Sequence, residues 1–466
     1  VAKSRQICLV DAKHKESLEI SCATLRELGY WVPEGALVPF HAIRVMRRTL
    51  KRAMKQTPKA SFQTPKVMSD KKNQAAMALL DRIYQTSYRT EKMFLLVFAM
   101  SKMVEMTLDF GVCSLSGPAY AQFGLLALAA FNDYKTGTMF AEVALLIQEQ
   151  APSRFMESQT IFLAHAVFAW TVPFQSLVDR TRRGYTLGMS SGNIETGLWC
   201  ICNSEMLLPY SFGKPLHAIA LSCSKYILQM EDLRKKDHSL ASRVIWQAVI
   251  NLMGEAENVL AMEGVALSRK VIDNLDSAET KFYDAIRHDL LVFYGAYELA
   301  AESALKRGNE FPKAAVGVFT IMMETFHRGV ALYAMARRTR RRKYLNPARR
   351  IRKTIKKWGK NGNPNVRHYI CFLDAEHSAV SKRYKEAEVH YQQAIKIAAK
   401  TGYLHHAGLF NERYADLLKV HMKNEEEAVY RLQEAIRWYG EWGAALKVKM
   451  LIELVSTERG EARTED

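Results

Sequence analysis

Apolar residues recur at helical spacing along almost the whole chain. Phe282, Ile286, Leu290, Phe293 and Tyr297 step by four, four, three and four residues, and Met77, Leu80 and Tyr84 by three and four. That period places each set on one face of an α-helix. Long alternating runs of the kind that build strands are absent, and proline and glycine are sparse. The breaks are short and polar: Ala53 to Lys72, Asp179 to Asn193, Arg307 to Lys313, and Gly359 to Arg367. The first carries lysine, proline, serine and threonine and reads as a linker. The last holds Gly359, Gly362 and Pro364, a helix stop followed by a restart. The polar stretch from Ser456 to Asp466 predicts a fraying tail or a lead into another domain.

One helical pattern repeats. In Tyr384-x-x-Ala387-x-x-x-Tyr391-x-x-Ala394, the residues Ala387, Tyr391 and Ala394 share a helix face. The two alanines let a neighbouring helix approach closely, and the tyrosine fills the space between them. This is the second-helix pattern of a tetratricopeptide repeat. It returns at Ala428, Leu432 and Ala435, offset by 41 residues at all three positions. An undisturbed unit has about 34 residues, so these helices are longer or a turn carries extra residues. Weaker echoes stand at Gly137, Ala141 and Ala144, and at Gly197, Ile201 and Ser204.

A wider resemblance joins these pieces. Asn365-Val366-Arg367-His368, Ala375-Glu376, the Tyr384 to Ile395 unit, and Trp442-Gly443-Ala444 followed by Lys447-Val448 occur in that order. Upstream stand Leu25-Arg26-Glu27-Leu28-Gly29, Met68-Ser69-Asp70 ahead of Ala75-Ala76-Met77 and Leu79-Leu80, and Gly192-Asn193. From Ile20 to Leu454 the chain resembles the tetratricopeptide-like helical region of large multidomain signalling kinases. Those proteins join a serine/threonine kinase, an AAA-type ATPase, this helical region and often a GAF plus sensor histidine kinase module. The resemblance implies a non-catalytic connector; ATP binding and phosphotransfer belong to the neighbouring modules and do not carry over. Met68-Ser69-Asp70 matches a helix start, and Gly192-Asn193 falls where a Gly-Asp turn is usual. One departure is the strongly basic segment ahead of Asn365.

Length and composition fit this picture. A chain of 466 residues exceeds the roughly 250–300 at which a single core stops growing, so it divides or repeats. We expect an N-terminal helical segment (1–55), a linker (56–72), irregular long helix-pair repeats (73–358), two tetratricopeptide-like repeats with a capping helix (359–455), and a polar tail (456–466). The best candidate for a membrane span, Ile161 to Phe174, falls short of the about 20 residues needed and contains His165, Trp170 and Pro173. Val1 to Val10 has no signal-peptide core. The seven scattered cysteines read as reduced thiols in the cytoplasm. A start at Val1 rather than methionine suggests a piece of a longer protein.

No complete catalytic signature stands in the sequence. No P-loop string exists, and Gly213-Lys214-Pro215 is only a turn. Asp109-Phe110-Gly111 spells the metal-binding tripeptide of protein kinases, but the loops and strand lysine that must accompany it are missing; Asp109 reads as the end of a helix before a glycine stop. Cys200, Cys202 and His217 lack zinc spacing, and the cysteines read as small core residues. His368, His377, His405 and His406 lack triad or metal partners in sequence and read as repeat-interface or surface residues. No cofactor and no metal are expected.

Charge adds the one sharp feature. The net charge is +18, and Arg337 to Lys360 supplies thirteen basic residues and no acidic one. Its members Arg337, Arg338, Arg340, Arg341, Arg342, Lys343, Arg349, Arg350, Arg352, Lys353, Lys356 and Lys357 are the candidate partner- or anion-binding residues. Ala348, Ile351, Ile355 and Trp358 form one apolar helix face among them. Asn346 reads as the cap and Pro347 as the first turn of that helix. Three readings stay open: a solvated repeat helix, a site for an acidic domain, phosphorylated segment or calmodulin-like protein, or a site for nucleic acid or anionic membrane. A smaller helical cluster, Arg44, Arg47, Arg48, Lys51, Arg52 and Lys55, reads as a solvated face.

These readings predict an all-α, tetratricopeptide-like helical-repeat superhelix, an α-solenoid. Its function would be that of a non-enzymatic cytoplasmic scaffold or relay, bound to adjacent kinase or ATPase domains or to an acidic peptide. The alternative is a basic helical protein associated with nucleic acid or transcription.

Overall fold

The computed structural model describes residues 13–56, 66–315 and 317–462, with side chains to 457. The expected segments touching 1–12, 57–65 (most of the linker) and 463–466 therefore lie partly outside the described residues. At 81% helix the chain is all-α. Among the described residues the only β pairing is one isolated bridge between Val67 and Val112. None of the helices among the described residues is long and apolar enough to cross a membrane.

The helices follow in chain order. The first four are α1 (His14–Glu27), α2 (Val38–Gln56), α3 (Lys71–Arg89) and α4 (Met93–Phe110). Then come α5 (Ser116–Phe131), α6 (Tyr134–Gln150), α7 (Arg154–Phe168), α8 (Val178–Ser191), α9 (Ile194–Cys202) and α10 (Leu208–Phe212). They continue as α11 (Leu216–Asp232), α12 (Lys236–Met253), α13 (Arg269–Ile272), α14 (Ser277–Phe293), α15 (Tyr297–Arg307), α16 (Glu310–Ala314) and α17 (Ile321–Thr339). The last six are α18 (Arg342–Lys360), α19 (Arg367–Val380), α20 (Tyr384–Lys400), α21 (Leu404–Leu417), α22 (Glu425–Trp442) and α23 (Ala445–Ala462). The chain forms two compact units: Val1–Thr171 with Arg183–Gly197, and Val172–Arg182 with Leu198–Asp466.

In the first unit α5 packs on α6 and α7, and α4 on α2 and α3. Small residues set the closest approach. A Cβ on Gly124 of α5 would sit 2.8 Å from the Gly137 carbonyl oxygen of α6, so the weak repeat echo at Gly137, Ala141 and Ala144 marks a buried helix contact. Asp70 caps α3 by accepting the Lys72 amide at 3.0 Å, as the Met68-Ser69-Asp70 start implied. Asp109 and Phe110 end α4, and Gly111 follows with φ +101°. A side chain at Gly111 would collide with the Lys66 carbonyl.

In the second unit consecutive helices from α17 to α23 pack on one another, and α17 also meets α14, α15 and α19. Short connections between packed neighbours make successive helices antiparallel, the arrangement of an α-solenoid. The repeat residues are its seams: Ala387, Tyr391 and Ala394 of α20, and Ala428, Leu432 and Ala435 of α22, are all buried. Tyr391 stacks on Tyr414 of α21 at 5.3 Å and meets Phe372 of α19 edge-on at 5.6 Å. The 41-residue period has a visible origin. Helix α20 spans 17 residues, and α21 continues into a π-helical turn at Leu418–Met422 before α22 begins.

Three expectations are corrected. Asp179 to Asn193 is not a break but mostly helix α8. Its buried stripe is Leu177, Thr181, Gly184 and Gly188, so helical spacing is kept by small residues that hydrophobic counting overlooks. Pro347 lies inside α18, which starts at Arg342 rather than at Asn346. Buried Tyr344 extends the apolar face one turn toward the N-terminus, to Tyr344, Ala348, Ile351, Ile355 and Trp358, and this added burial carries the helix past the proline. The polar tail also stays helical as far as Ala462.

Because Ala394 is fully buried in its seam, Ala394→Leu should destabilise the chain by about 1–3 kcal/mol through overpacking. The exposed neighbour change Gln393→Leu should stay within about 0.5 kcal/mol. Urea unfolding of both variants measures the difference.

Candidate functional site

Helix α18 is anchored by its Tyr–Ala–Ile–Ile–Trp stripe against α17 and α19. The stripe decides which cations face outward. Arg352 and Lys356 flank it and both reach Asp374 of α19, at 2.5 and 2.8 Å. Ahead of the helix, Arg338 pairs with Glu298 at 2.7 Å, and Arg340 donates to the Val380 carbonyl at 2.7 Å. The Lys343 ammonium lies 4.7 Å from the Tyr344 ring centroid. The side chains of Arg341, Arg342, Arg349, Arg350, Lys353, Lys357 and Lys360 are exposed and have no ion-pair partner among the described residues. The basic field reaches inward. Burial first, then Arg352 and Arg349, hold the His377 imidazole down to about 4.

Arg337 stands apart from this face. It is buried on α17, pairs with Asp416 of α21, and lies 3.8 Å from Glu376 of α19. Arg413 of α21 grips the same Glu376 with two bonds, at 2.8 and 3.2 Å. These cations hold the Glu376 carboxyl below its ordinary range although burial pushes the other way. Arg337 therefore belongs to a buried ion cluster that joins three helices. A groove of about 750 Å³ opens beside it, lined by Tyr297, Arg338, Glu412, Leu432 and Leu454 among others. Its charges are matched internally: Arg337 to Asp416, Arg413 to Glu376, and Lys447 to Glu412 at 2.6 Å. The exposed run of unmatched cations beside it lies on α18.

The histidines that seemed isolated in sequence meet in the core. Asp289 of α14 contacts His327 Nδ1 of α17 at 2.6 Å. His327 Nε2 meets His406 Nε2 of α21 at 3.2 Å, and His406 Nδ1 meets His368 Nε2 of α19 at 3.2 Å. The contacts run unbroken from the carboxylate through three imidazoles, with each donor and acceptor role set by the ring tautomers. All four side chains are buried, so the chain is closed to solvent and ties four helices together. His405 stacks on His406 at 3.7 Å, and its ring nitrogens find no hydrogen-bond partner among the described residues. Sequence spacing could not reveal this assembly, since its members are up to 117 residues apart (Asp289 to His406).

The remaining candidates are placed simply. Cys200 and Cys202 are buried while His217 is exposed. Burial pushes the Cys202 thiol up to about 12. Among the described residues no group of three or more His, Cys, Asp or Glu is arranged to hold a metal ion. Compared with known proteins, the chain matches no family model and no curated relative. Fold and surface together define an all-α helical-repeat protein whose second unit carries a basic helix with seven exposed, unpaired cations among the described residues.

Burial holds His368 down to about 3, and His405 and His406 well below the ordinary 6.5. The folded protein thus refuses protons that the unfolded chain accepts between pH 6.5 and 3. Stability is complete above pH 6.5 and falls as the pH drops through that window, by about 2 kcal/mol at pH 5 for His368, with His405 and His406 acting in the same direction. Urea midpoints at neutral pH and at pH 5 should show this loss, and His368→Gln should reduce it.

Proposed function

We propose that this chain is a non-catalytic helical-repeat scaffold whose basic helix α18 docks an acidic protein segment. It would thereby link or position signalling modules, as in the multidomain kinases that it resembles. The observation that carries this reading is the set of seven exposed cations on α18 and its entry turn with no carboxylate partner among the described residues. Elsewhere in this unit the cations of the core and groove are matched. Like charges along one helix destabilise it slightly, and an acidic partner relieves that repulsion.

An acidic segment is favoured over nucleic acid by what the face omits. Both aromatic residues of α18, Tyr344 and Trp358, are buried in the anchoring stripe. The exposed side offers charge but no stacking platform for bases, which single-strand binding uses. Resemblance and fold class do not fix the partner; the charge pattern supports its chemistry.

The test is direct binding. Labelled poly-L-glutamate should bind the chain at low salt, and Arg349→Glu, Arg350→Glu and Lys353→Glu together should weaken binding at least tenfold with helicity retained. Duplex DNA or single-stranded RNA that bound more tightly at the same salt, with the steep salt dependence of counterion release, would replace this reading by the nucleic-acid alternative. Failure of every polyanion to bind the folded chain would remove α18 as a docking site.

A further inference from the structure

Helix α2 lies in the first unit and is a second long basic helix free of acidic residues, with six cations over its 19 residues. It docks through Ala42, Val45, Met46, Thr49 and Ala53. Two of its arginines turn back to α4: Arg48 to Glu105 at 2.8 Å and Arg52 to Asp109 at 2.6 Å. The outward stripe that remains reads Phe40, Arg44, Arg47, Lys51 and Met54, at steps of four, three, four and three, with Lys55 beside it. Arg44, Arg47, Lys51 and Lys55 have no ion-pair partner among the described residues.

Large apolar side chains gather where this stripe begins. Phe40 is 60% exposed, Leu37 62% and Trp31 54%. They form one patch. The His41 ring lies 4.9 Å from Trp31 and 5.5 Å from Phe40, and Leu37 closes the 3-10 turn that leads into α2. The indole also borders a cleft of about 360 Å³ lined by His41, Arg44, Val45 and Phe98.

We propose that this face is a peripheral contact for an anionic lipid bilayer. Arg44, Arg47 and Lys51 would meet the headgroups, while Trp31, Leu37 and Phe40 enter the acyl boundary. The cations supply attraction to anionic headgroups, the exposed Trp, Leu and Phe beside them supply apolar area to bury, and indole rings favour the headgroup level. The choice between lipid and nucleic acid turns on the aliphatic residues. Leu37 and the 53% exposed Met54 have no stacking face to offer a base, but both gain by burial in hydrocarbon.

The test uses the whole chain and vesicles of phosphatidylcholine, with or without a third of phosphatidylserine, at about 0.15 M salt. Sedimentation should show binding to the anionic vesicles and little to the neutral ones. Neutralising Arg44, Arg47 and Lys51 to Gln should weaken binding roughly a hundredfold, and Leu37→Ser with Phe40→Ser roughly tenfold, both with unchanged circular dichroism. A blue shift of tryptophan emission on binding should be smaller in Trp31→Phe. The triple charge reversal on α18 leaves this site intact, so the two surfaces can be judged separately. The proposal is overturned if the folded chain ignores anionic vesicles, or if both sets of α2 variants bind as the parent does. It is also overturned if single-stranded RNA competes fully while the Leu37 and Phe40 changes have no effect.

Discussion

The second unit depends on a buried carboxylate, Glu376, held by two arginines. It lies on α19, and its partners Arg337 and Arg413 come from α17 and α21. A charge in such a place must be matched, because removing one member strands the others without water. Helix α17 is the element most constrained by this rule, for it is buried along Ile321 to Arg337. It carries His327, which opens the histidine chain, and Glu324, which pairs with Arg307 at 3.1 Å and Arg328 at 2.9 Å. Polar matching across α14, α17, α19 and α21 therefore sets the register in which the apolar seams close.

The basic helix follows from that register. With α17 and α19 fixed, the stripe on α18 has one way to dock, and its remaining cations must face outward. The contrast between inside and outside is the physical basis of the functional reading. Buried arginines each have a carboxylate, whereas the α18 face has cations and no acid of its own. A protein that tolerates such an imbalance while balancing its core so completely leaves the charge available to a partner.

Much of this was legible in the sequence, and the limits have physical causes. Period alone identified the all-α class, and the Ala387, Tyr391, Ala394 spacing identified the seams, because both are local. The α18 stripe was visible except for Tyr344, which was hidden by treating Pro347 as a start. Helix α8 was hidden because Thr181, Gly184 and Gly188 pack closely without being hydrophobic. The histidine chain and the Glu376 cluster were invisible because each is assembled from separate helices. Arg337 shows the same limit in reverse. It sits in a basic run, yet its place near the end of a buried helix sends it into the core.

The central claim is that α18 is a rigid platform whose exposed charge is its binding determinant. Hydrogen–deuterium exchange across the chain, with and without saturating poly-L-glutamate, tests it most directly. The account predicts added protection over residues 341–360, with the exchange of α19 to α22 unchanged. Protection elsewhere with none on α18, or no change anywhere while the polymer is bound, would contradict it.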